Sequence, residues 1–253
     1  MSQARFGPCV CLSTFFLSRS DDTRPAADRP EANVGKVTTV ARQLADLPYG
    51  HLLEPHDGPL RPGAEYDTVL FDSLDFQDAE ASGARFMECA FTTVTFSGGS
   101  VRCRFNEVWL RAVRVVGAEL IEADWLDTTV LSSAFSGIEA YSSQFRRVVF
   151  EDCKFDSVNF RAAQFSDVVF EGCLLDEVDW SGAHLSGVSF PRSTLRGVRM
   201  PGVTMERVDF RGAAQLHLAD GYGSLRGATV DGDQLAGIAP MLAAELGITV
   251  DYG

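Results

Sequence analysis

The residue types that carry most enzyme chemistry are sparse in this sequence. The chain of 253 residues has four histidines, His51, His56, His184 and His217, and they are scattered along it. A general base needs a partner within hydrogen-bond reach, and the sequence contains no GxSxG, no HExxH and no phosphate-cradling glycine loop that would supply one. We therefore expect a protein that is not an enzyme and that uses no cofactor.

The six cysteines do not form a metal-binding pattern. Cys9 and Cys11 make a lone Cys-x-Cys pair, and a structural zinc site needs a second pair. The other four recur at small positions of a repeat described below and are expected to behave as compact apolar residues; they are Cys89, Cys103, Cys153 and Cys173. We predict no metal site, and we predict stacked thiols rather than a disulfide between the last two.

Carboxylates are the most prominent chemical feature. The chain has 35 acidic and 22 basic residues and a net charge of −13. Residues 64–190 hold 21 acidic and 9 basic residues, whereas residues 191–230 hold 3 acidic and 6 basic ones. An acidic surface repels nucleic acid but attracts proteins that bind nucleic acid. We expect a protein partner, no direct contact with nucleic acid and, because no apolar run approaches 18 residues, no membrane span. Cytoplasm is the default location.

A period of five residues decides how these carboxylates are positioned. Twenty-two consecutive positions in steps of five are apolar. A helix would spread such a series around its surface and a flat strand would send alternate members to opposite faces, so neither fits. The series is Phe105, Leu110, Val115, Leu120, Trp125, Val130, Phe135, Ala140, Phe145, Phe150, Phe155, Phe160, Phe165, Phe170, Leu175, Trp180, Leu185, Phe190, Leu195, Met200, Met205 and Phe210.

Two residues before each large position lies a small or β-branched, uncharged one, such as Val148, Cys153, Val158 and Ala163. Paired large and small inward positions predict a chain that turns a corner after every five residues. Four repeats then close one square coil, and residues 20 apart stack as neighbours in a parallel sheet. Glycines recur two residues after the large position, at the expected corners, where positive φ favours them; they are Gly117, Gly137, Gly172, Gly182, Gly187, Gly197, Gly202 and Gly212.

The repeat is interrupted at two places. Seven earlier repeats, from Phe71 to Val101, are out of phase by one residue with those that begin at Phe105. We expect a loop or distorted corner near 98–103, and a bulge in the sequence QLHLADGYGS at 215–224. The repeats predict about seven coils.

The two ends of the chain lack the five-residue repeat. Because a solenoid needs caps, we expect these segments to provide them. We predict a mobile tail at 1–36, an N-terminal cap segment at 37–63 with a short helix over 37–48, the coil at 64–230 and a C-terminal helical cap at 231–253. Asp231 and Gln234 form a capping box and Gly247 ends the C-terminal helix, which Pro240 should kink or split.

Several stretches match a known repeat as they stand: VNFRA (158–162), ADWLD (123–127), VDWSG (178–182), AHLSG (183–187) and VDFRG (208–212). They resemble the pentapeptide repeat family, whose loose pattern is Ala-Asp/Asn-Leu-x-x. The resemblance implies an all-β solenoid, specifically a right-handed quadrilateral β-helix. The central residue here is usually Phe rather than Leu, and the preceding Asp or Asn is often replaced.

The resemblance also implies a function. Some bacterial proteins of this family, including those of quinolone antibiotic resistance, are rod-like dimers that mimic DNA, bind DNA gyrase or topoisomerase IV and join through a C-terminal helix. The expected dimer contacts are Leu235, Ile238, Leu242 and Leu246. The acids expected to bind the topoisomerase are Asp72, Asp75, Asp78, Glu80, Glu119, Glu122, Asp124 and Asp127.

Two features favour a general interaction scaffold instead. One is an arginine group near the C-terminal end: Arg192, Arg196, Arg199, Arg207 and Arg211. The other is a belt of outward apolar residues that the N-terminal segment or another chain should cover; it comprises Trp109, Val116, Ile121, Leu126, Leu131, Val149 and Val169.

Overall fold

A parallel β-solenoid makes up most of the structure, a computed structural model that describes residues 40–251. These residues belong to one unit, Thr39–Gly253. The tail predicted for residues 1–36, with Cys9 and Cys11, lies outside the described residues. Two faces of the coil have eight strands each, so the coil has eight turns rather than about seven. The difference arises because it begins before the first counted repeat and continues past the last.

Three faces are built from short parallel strands. Face one comprises Glu65–Asp67, Arg85–Met87, Arg104–Asn106, Asp124–Leu126, Gln144–Arg146, Gln164–Ser166, His184–Ser186 and Thr204–Glu206. Face two comprises Glu54–Pro55, Val69–Asp72, Ala90–Thr92, Trp109–Arg111, Thr129–Leu131, Val149–Glu151 and Val169–Glu171, and is continued by the pair Val208–Asp209 and Ala228–Thr229. Face three comprises Asp75–Phe76, Thr95–Gly99, Arg114–Glu119, Ala134–Ser136, Lys154–Asp156, Leu174–Asp176, Thr194–Arg199 and Gln215–Asp220.

The fourth face is held mainly by single bridges, although Glu119 and Arg199 are the last residues of strands that continue from face three. The bridges join residues 20 apart in one row: Glu119, Glu139, Asn159, Asp179 and Arg199. The same step of 20 relates strand partners on the other faces, such as Phe150 and Phe170. The predicted square coil with four repeats per turn is therefore confirmed.

The large residues of four successive repeats converge on one axis. Ring centroids of Phe150 and Phe155 lie 5.2 Å apart, those of Phe155 and Phe160 6.1 Å, and those of Phe160 and Phe165 5.2 Å. Along the axis the rings stack, as Phe150 does on Phe170 at 5.0 Å. Such aromatic contacts add to the energy of burial, so the interior is a continuous packed column.

Both interruptions of the repeat appear in the strand register. Phe86 pairs with Phe105, a turn of 19 residues, and Leu195 pairs with Leu216, a turn of 21. At the shorter turn Gly98 has φ +97°, and a Cβ there would lie 2.6 Å from the backbone nitrogen of Ala79. The expected distortion is confirmed, and it requires glycine.

The corners tolerate more residue types than expected. All eight predicted corner glycines have positive φ. Twenty non-glycine residues in the described part also have φ between 48° and 58°, among them Asp152, Ala162 and Arg192. An L-residue costs about 1–2 kcal/mol in this conformation. The expectation that corners favour glycine alone was too narrow, because the stacked coils fix the corner whatever residue occupies it.

Polar members of the small inward series satisfy backbone groups at the corners. The Ser193 hydroxyl donates to the Phe170 carbonyl at 2.7 Å and accepts from the Cys173 amide at 2.8 Å. The thiols of Cys153 and Cys173 donate to the carbonyls of Val130 and Phe150 at 3.4 Å. Burial keeps such thiols protonated, and it raises the pKa of Cys89 and of Cys103 to about 11. These cysteines are hydrogen-bond donors as well as apolar filler.

Residues 40–53, here called the N-terminal strap, lie along face two. Trp109 donates from its indole nitrogen to the Ala41 carbonyl at 2.8 Å, and the Tyr49 hydroxyl donates to the Glu107 carbonyl at 2.6 Å. Leu47 and Tyr49 form a buried cluster with Trp109 and Leu131. The N-terminal segment thus covers part of the apolar belt, while Val116 stays 45% exposed.

The helix expected over 37–48 is a single 3-10 turn, Leu44–Asp46, and residues 37–39 lie outside the described part. Leu47 precedes Pro48, which disfavours helical geometry, and its ψ of 134° is extended. The apolar spacing that predicted a helix instead serves an extended strap.

The C-terminal helix, Gly232–Glu245, closes the other end. The capping box of Asp231 and Gln234 is present, and Gly247 follows the helix at φ +71°. Of the two outcomes predicted for Pro240, a kink or a split, the split does not occur, because one helix runs through this residue. Proline removes one hydrogen bond, and packing of buried Ile238 on the last coil holds the helix together. A second short helix, Tyr222–Ser224, precedes it.

Replacing Ala162 with glycine should raise the free energy of unfolding by about 1 kcal/mol, because Ala162 is exposed at φ +55° and glycine relieves the strain. The same change at its neighbour Ala163, which is fully buried, should lower it by about 1–2 kcal/mol. Urea denaturation measures both. A loss of stability in both variants would contradict the corner assignment.

Replacing Arg42 with alanine should lower the free energy of unfolding by about 1–2 kcal/mol. Arg42 binds Glu151 at 2.9 Å, and the Glu151 side chain, 10% exposed, would keep a buried charge without its cation. The matched control is Arg85→Ala, which breaks the exposed pair with Glu65 and should cost under about 1 kcal/mol. Urea denaturation measures both variants. Equal losses of unfolding free energy would contradict the idea that Arg42 of the strap compensates the buried charge of Glu151.

Candidate partner-binding surface

The eight acids predicted to bind a partner do not share one face. Asp124 lies on face one, Asp72 on face two and Asp75 on face three. Asp78 and Asp127 lie at corners, where their φ is positive. Glu119 lies on face four, with Glu80 in the corresponding position of an earlier turn and Glu122 at the following corner. The structure therefore places two of the eight, Glu80 and Glu119, on face four and disperses the other six.

Two of the dispersed acids are neutralised by arginines of the next turn. Both Nη2 contacts from Arg146 to the Asp124 carboxylate are 3.0 Å long. Arg147 binds Asp127 through Nε at 2.6 Å and Nη2 at 2.7 Å. The turn of 20 residues places Arg147 directly beside Asp127, and Arg146, 22 residues after Asp124, reaches it diagonally. These carboxylates offer a partner little net charge.

Face four presents a different arrangement, here called the acidic row: Glu119, Glu139 and Asp179, with Asn159 between the last two. Neither Glu119 nor Glu139 forms an ion pair within residues 40–251, and both are exposed. The Asn159 side chain donates to Glu139 at 2.6 Å, and Arg161 approaches Asp179 only to 4.0 Å. The prediction missed Glu139 and Asp179, although their spacing of 20 from Glu119 and Asn159 was readable in the sequence.

Several acids on the other faces are paired with arginines of the next turn or of the same repeat. Arg196 binds Asp176, and the hydrogen bond lowers the pKa of that carboxyl. Arg192 binds Glu171 at 3.0 Å. Arg211 binds Asp209 within its own repeat and likewise lowers its pKa. The arginine group near the C-terminal end is thus largely used in ion pairs, whereas Arg199 ends the acidic row.

The four predicted dimer residues divide into two pairs. Ile238 is buried and Leu242 packs against the core, so both serve the cap. Leu235 and Leu246 are 49% and 77% exposed. Beyond the helix Ile248 and Val250 add exposed apolar surface. The prediction that all four are dimer contacts did not anticipate that Ile238 and Leu242 close the coil.

An open groove and a small cavity are the candidate sites for a small ligand within the described residues. An open groove of about 460 Å³ lies between the last coil and the helix, lined by residues that include Asp220, Tyr222 and Glu245. A cavity of about 10 Å³ beside Ala140 is wholly apolar. In the part of the chain that the structure describes, no three His, Cys, Asp or Glu side chains are grouped to hold a metal ion. None of the helices within residues 40–251 is long and apolar enough to cross a membrane.

Comparison with known proteins gives the following. The family model for the pentapeptide repeat region matches residues 132–200. No curated protein matches the chain. A trypsin-treated form of QnrB1, a plasmid-mediated fluoroquinolone resistance protein, is 23% identical with a TM-score of 0.45, covering 79% of this chain and 97% of that one. Rfr23, from the cyanobacterium Cyanothece, is 15% identical with a TM-score of 0.34, covering 53% and 91%.

HetL, a pentapeptide repeat protein involved in heterocyst differentiation in the cyanobacterium Nostoc, is 14% identical with a TM-score of 0.24, covering 68% and 92%. The matched segment 132–200 lies inside the coil, and there every fifth residue is a buried large position, as the family pattern requires. Residues 132–200 are therefore a pentapeptide repeat region, and its period continues through the coil on either side.

Proposed function

We propose that this protein is a non-enzymatic DNA mimic that binds a type II topoisomerase, DNA gyrase first, and modulates it or protects it from inhibitors. The observation that carries the proposal is the acidic row on face four. Glu119 and Glu139 are exposed on adjacent turns of a rigid coil and form no ion pair within the described residues, and Asp179 follows two turns after Glu139.

The charge per unit length of the coil can be compared with that of DNA. Adjacent turns of a parallel sheet lie about 4.8 Å apart, while each DNA strand carries one phosphate per about 3.4 Å of helix axis. Eight turns span roughly 38 Å, a length over which B-DNA carries roughly 22 negative charges. The chain carries a net charge of −13. A DNA-binding groove would therefore meet somewhat more than half of its usual charge.

A homodimer would double the length of the acidic rod. The exposed side chains of Leu235 and Leu246 lie on the same side of the C-terminal helix, because eleven residues make about three turns. They border the face whose Ile238 and Leu242 close the coil, because each lies within about 80° of those two residues around the helix. We propose that this surface joins two copies, with the rods pointing in opposite directions.

A second candidate function is a general interaction scaffold without a topoisomerase role. The pairing of Asp124 with Arg146 and of Asp127 with Arg147 favours it, because a mimic gains nothing from neutralised acids. The two functions differ in whether the acidic row has a dedicated partner.

The decisive measurement is inhibition of gyrase supercoiling, with and without a quinolone. The chain should inhibit supercoiling or change quinolone-stabilised cleavage at micromolar concentration. The triple variant Glu119→Gln, Glu139→Gln, Asp179→Asn should weaken the effect at least about tenfold, since three charged contacts are lost.

The matched control removes three acids at corners between faces one and two: Glu88→Gln, Glu107→Gln, Asp167→Asn. It should retain the effect to within about threefold. If the wild-type chain has no effect on gyrase, the general interaction scaffold is the remaining candidate function. If both triple variants lose the effect equally, the acidic row is not the binding site.

Sedimentation of the double variant Leu235→Asp, Leu246→Asp should give a monomer where the wild-type chain gives a dimer, because the substitutions put charge into the apolar contact. Ala236→Asp, which lies on an adjacent exposed side of the helix, should leave the dimer intact. A wild-type monomer at the same concentration would contradict the dimer without affecting the acidic row.

A further inference from the structure

Two apolar side chains lie beside the acidic row on face four. They are Ile121 and Tyr141, which follow Glu119 and Glu139 by two residues each. The residue between each acid and its apolar neighbour is buried, as Ala140 is, whereas the flanking side chains lie on the outer surface. Positions two residues apart are separated by at most about 7 Å. Each of these acids therefore has an apolar neighbour on the same turn.

Tyr141 presents an uncovered aromatic ring. The side chain is 39% exposed and makes neither a ring contact nor a hydrogen bond within residues 40–251. Its backbone is fixed by the coil, because its carbonyl accepts from the Glu122 amide at 3.1 Å. Ile121, which is half-buried, lies one turn earlier, about 4.8 Å away along the coil. The ring is thus held on a rigid support beside two carboxylates.

The Glu139 carboxylate is oriented and accessible from solvent. Its Oε2 accepts from the Asn159 side chain at 2.6 Å, whereas its Oε1 has no hydrogen-bond partner in the described part of the chain. Glu119 lies on the preceding turn, about 4.8 Å away along the coil. Two negative charges at this distance repel each other, so a cation beside both of them is favoured.

Arg161 does not supply that cation, although it lies one turn after Tyr141. Its amide donates to the side-chain oxygen of Asn159 at 3.0 Å, and its Nε approaches Asp179 of the following turn at 4.0 Å. The guanidinium is therefore directed toward the C-terminal end of the coil and away from Tyr141. A cation from another protein can reach the ring and the two glutamates together.

Arginine suits a carboxylate beside an aromatic ring better than lysine does. A planar guanidinium can donate two parallel hydrogen bonds to a carboxylate and also lie over a ring, with its centre within about 6 Å of the ring centroid. An ammonium group is more strongly hydrated and has no plane to stack on the ring. The methylene stem of an arginine would pack on Ile121.

We propose that Ile121 and Tyr141 form an arginine platform, on which an arginine of the partner binds Glu139 and lies over the Tyr141 ring. The inference rests on the proposed function, because the acidic row is the same binding site. It names the residue type that the topoisomerase places there. A groove that contacts DNA phosphates carries both arginine and lysine, and the platform distinguishes between them.

The probes are two fluorescein-labelled peptides, one of four Gly-Arg units and one of four Gly-Lys units, whose binding to the full chain is measured by fluorescence anisotropy. The arginine peptide should bind about two- to fivefold more tightly, as expected of one cation–π contact at an exposed site. Tyr141→Ala should abolish this preference. Tyr141→Phe keeps the ring and should retain the preference.

The matched control is Met87→Ala, which shortens an exposed apolar side chain on face one. It should leave the preference for arginine unchanged. Three results would each overturn the inference: equal binding of the two peptides to the wild-type chain, a preference that survives in Tyr141→Ala, or a preference that is lost in Met87→Ala.

Inhibition of gyrase supercoiling separates this inference from the proposed function. Tyr141→Ala should weaken inhibition about two- to fivefold, and Tyr141→Phe should not. If the wild-type chain does not affect gyrase but prefers the arginine peptide through Tyr141, the topoisomerase role fails and the arginine platform stands. If the wild-type chain and Tyr141→Ala inhibit gyrase equally, the platform fails and the topoisomerase role stands.

Discussion

Backbone pairing between successive turns is the constraint on which the whole structure depends. The amide of Val149 donates to the carbonyl of Thr128 at 3.0 Å, and equivalent bonds recur along the coil. Because pairing fixes residues 20 apart in register, every inward position becomes a column of like residues. Phe170, Phe190 and Phe210 stack at 5.3 and 5.0 Å on this account. A turn that loses one residue must compensate locally, as it does at Gly98.

That constraint explains which parts of the fold were predictable. Inward residues recur every five positions along the coil. This five-residue pattern alone predicted the square coil, the register and both interruptions. The strap was not predicted in form, because Val40, Leu44 and Leu47 have helical spacing but serve an extended segment against Trp109. Its geometry depends on tertiary contacts with residues about 60 positions away, which no local pattern contains.

The candidate site was less predictable than the fold, and electrostatics is the reason. Net charge by segment placed the acids on the early turns, but it did not show which acids have a cation beside them. That depends on residues 20 to 22 positions apart, as for Asp124 and Arg146. On face four the same step places Glu139 next to Glu119 instead. Which acids have an arginine beside them can be read from the sequence only when the exact register between turns is known.

The position of unpaired charge, rather than the total of −13, decides where a basic partner binds. At physiological ionic strength the Debye length is about 8 Å, longer than the distance of about 4.8 Å between turns. The fields of Glu119 and Glu139 therefore merge into one line of negative potential. A pair such as Asp127 with Arg147 leaves only a dipole, whose field falls off more steeply. A rigid coil also holds its charges in place without further loss of backbone freedom on binding.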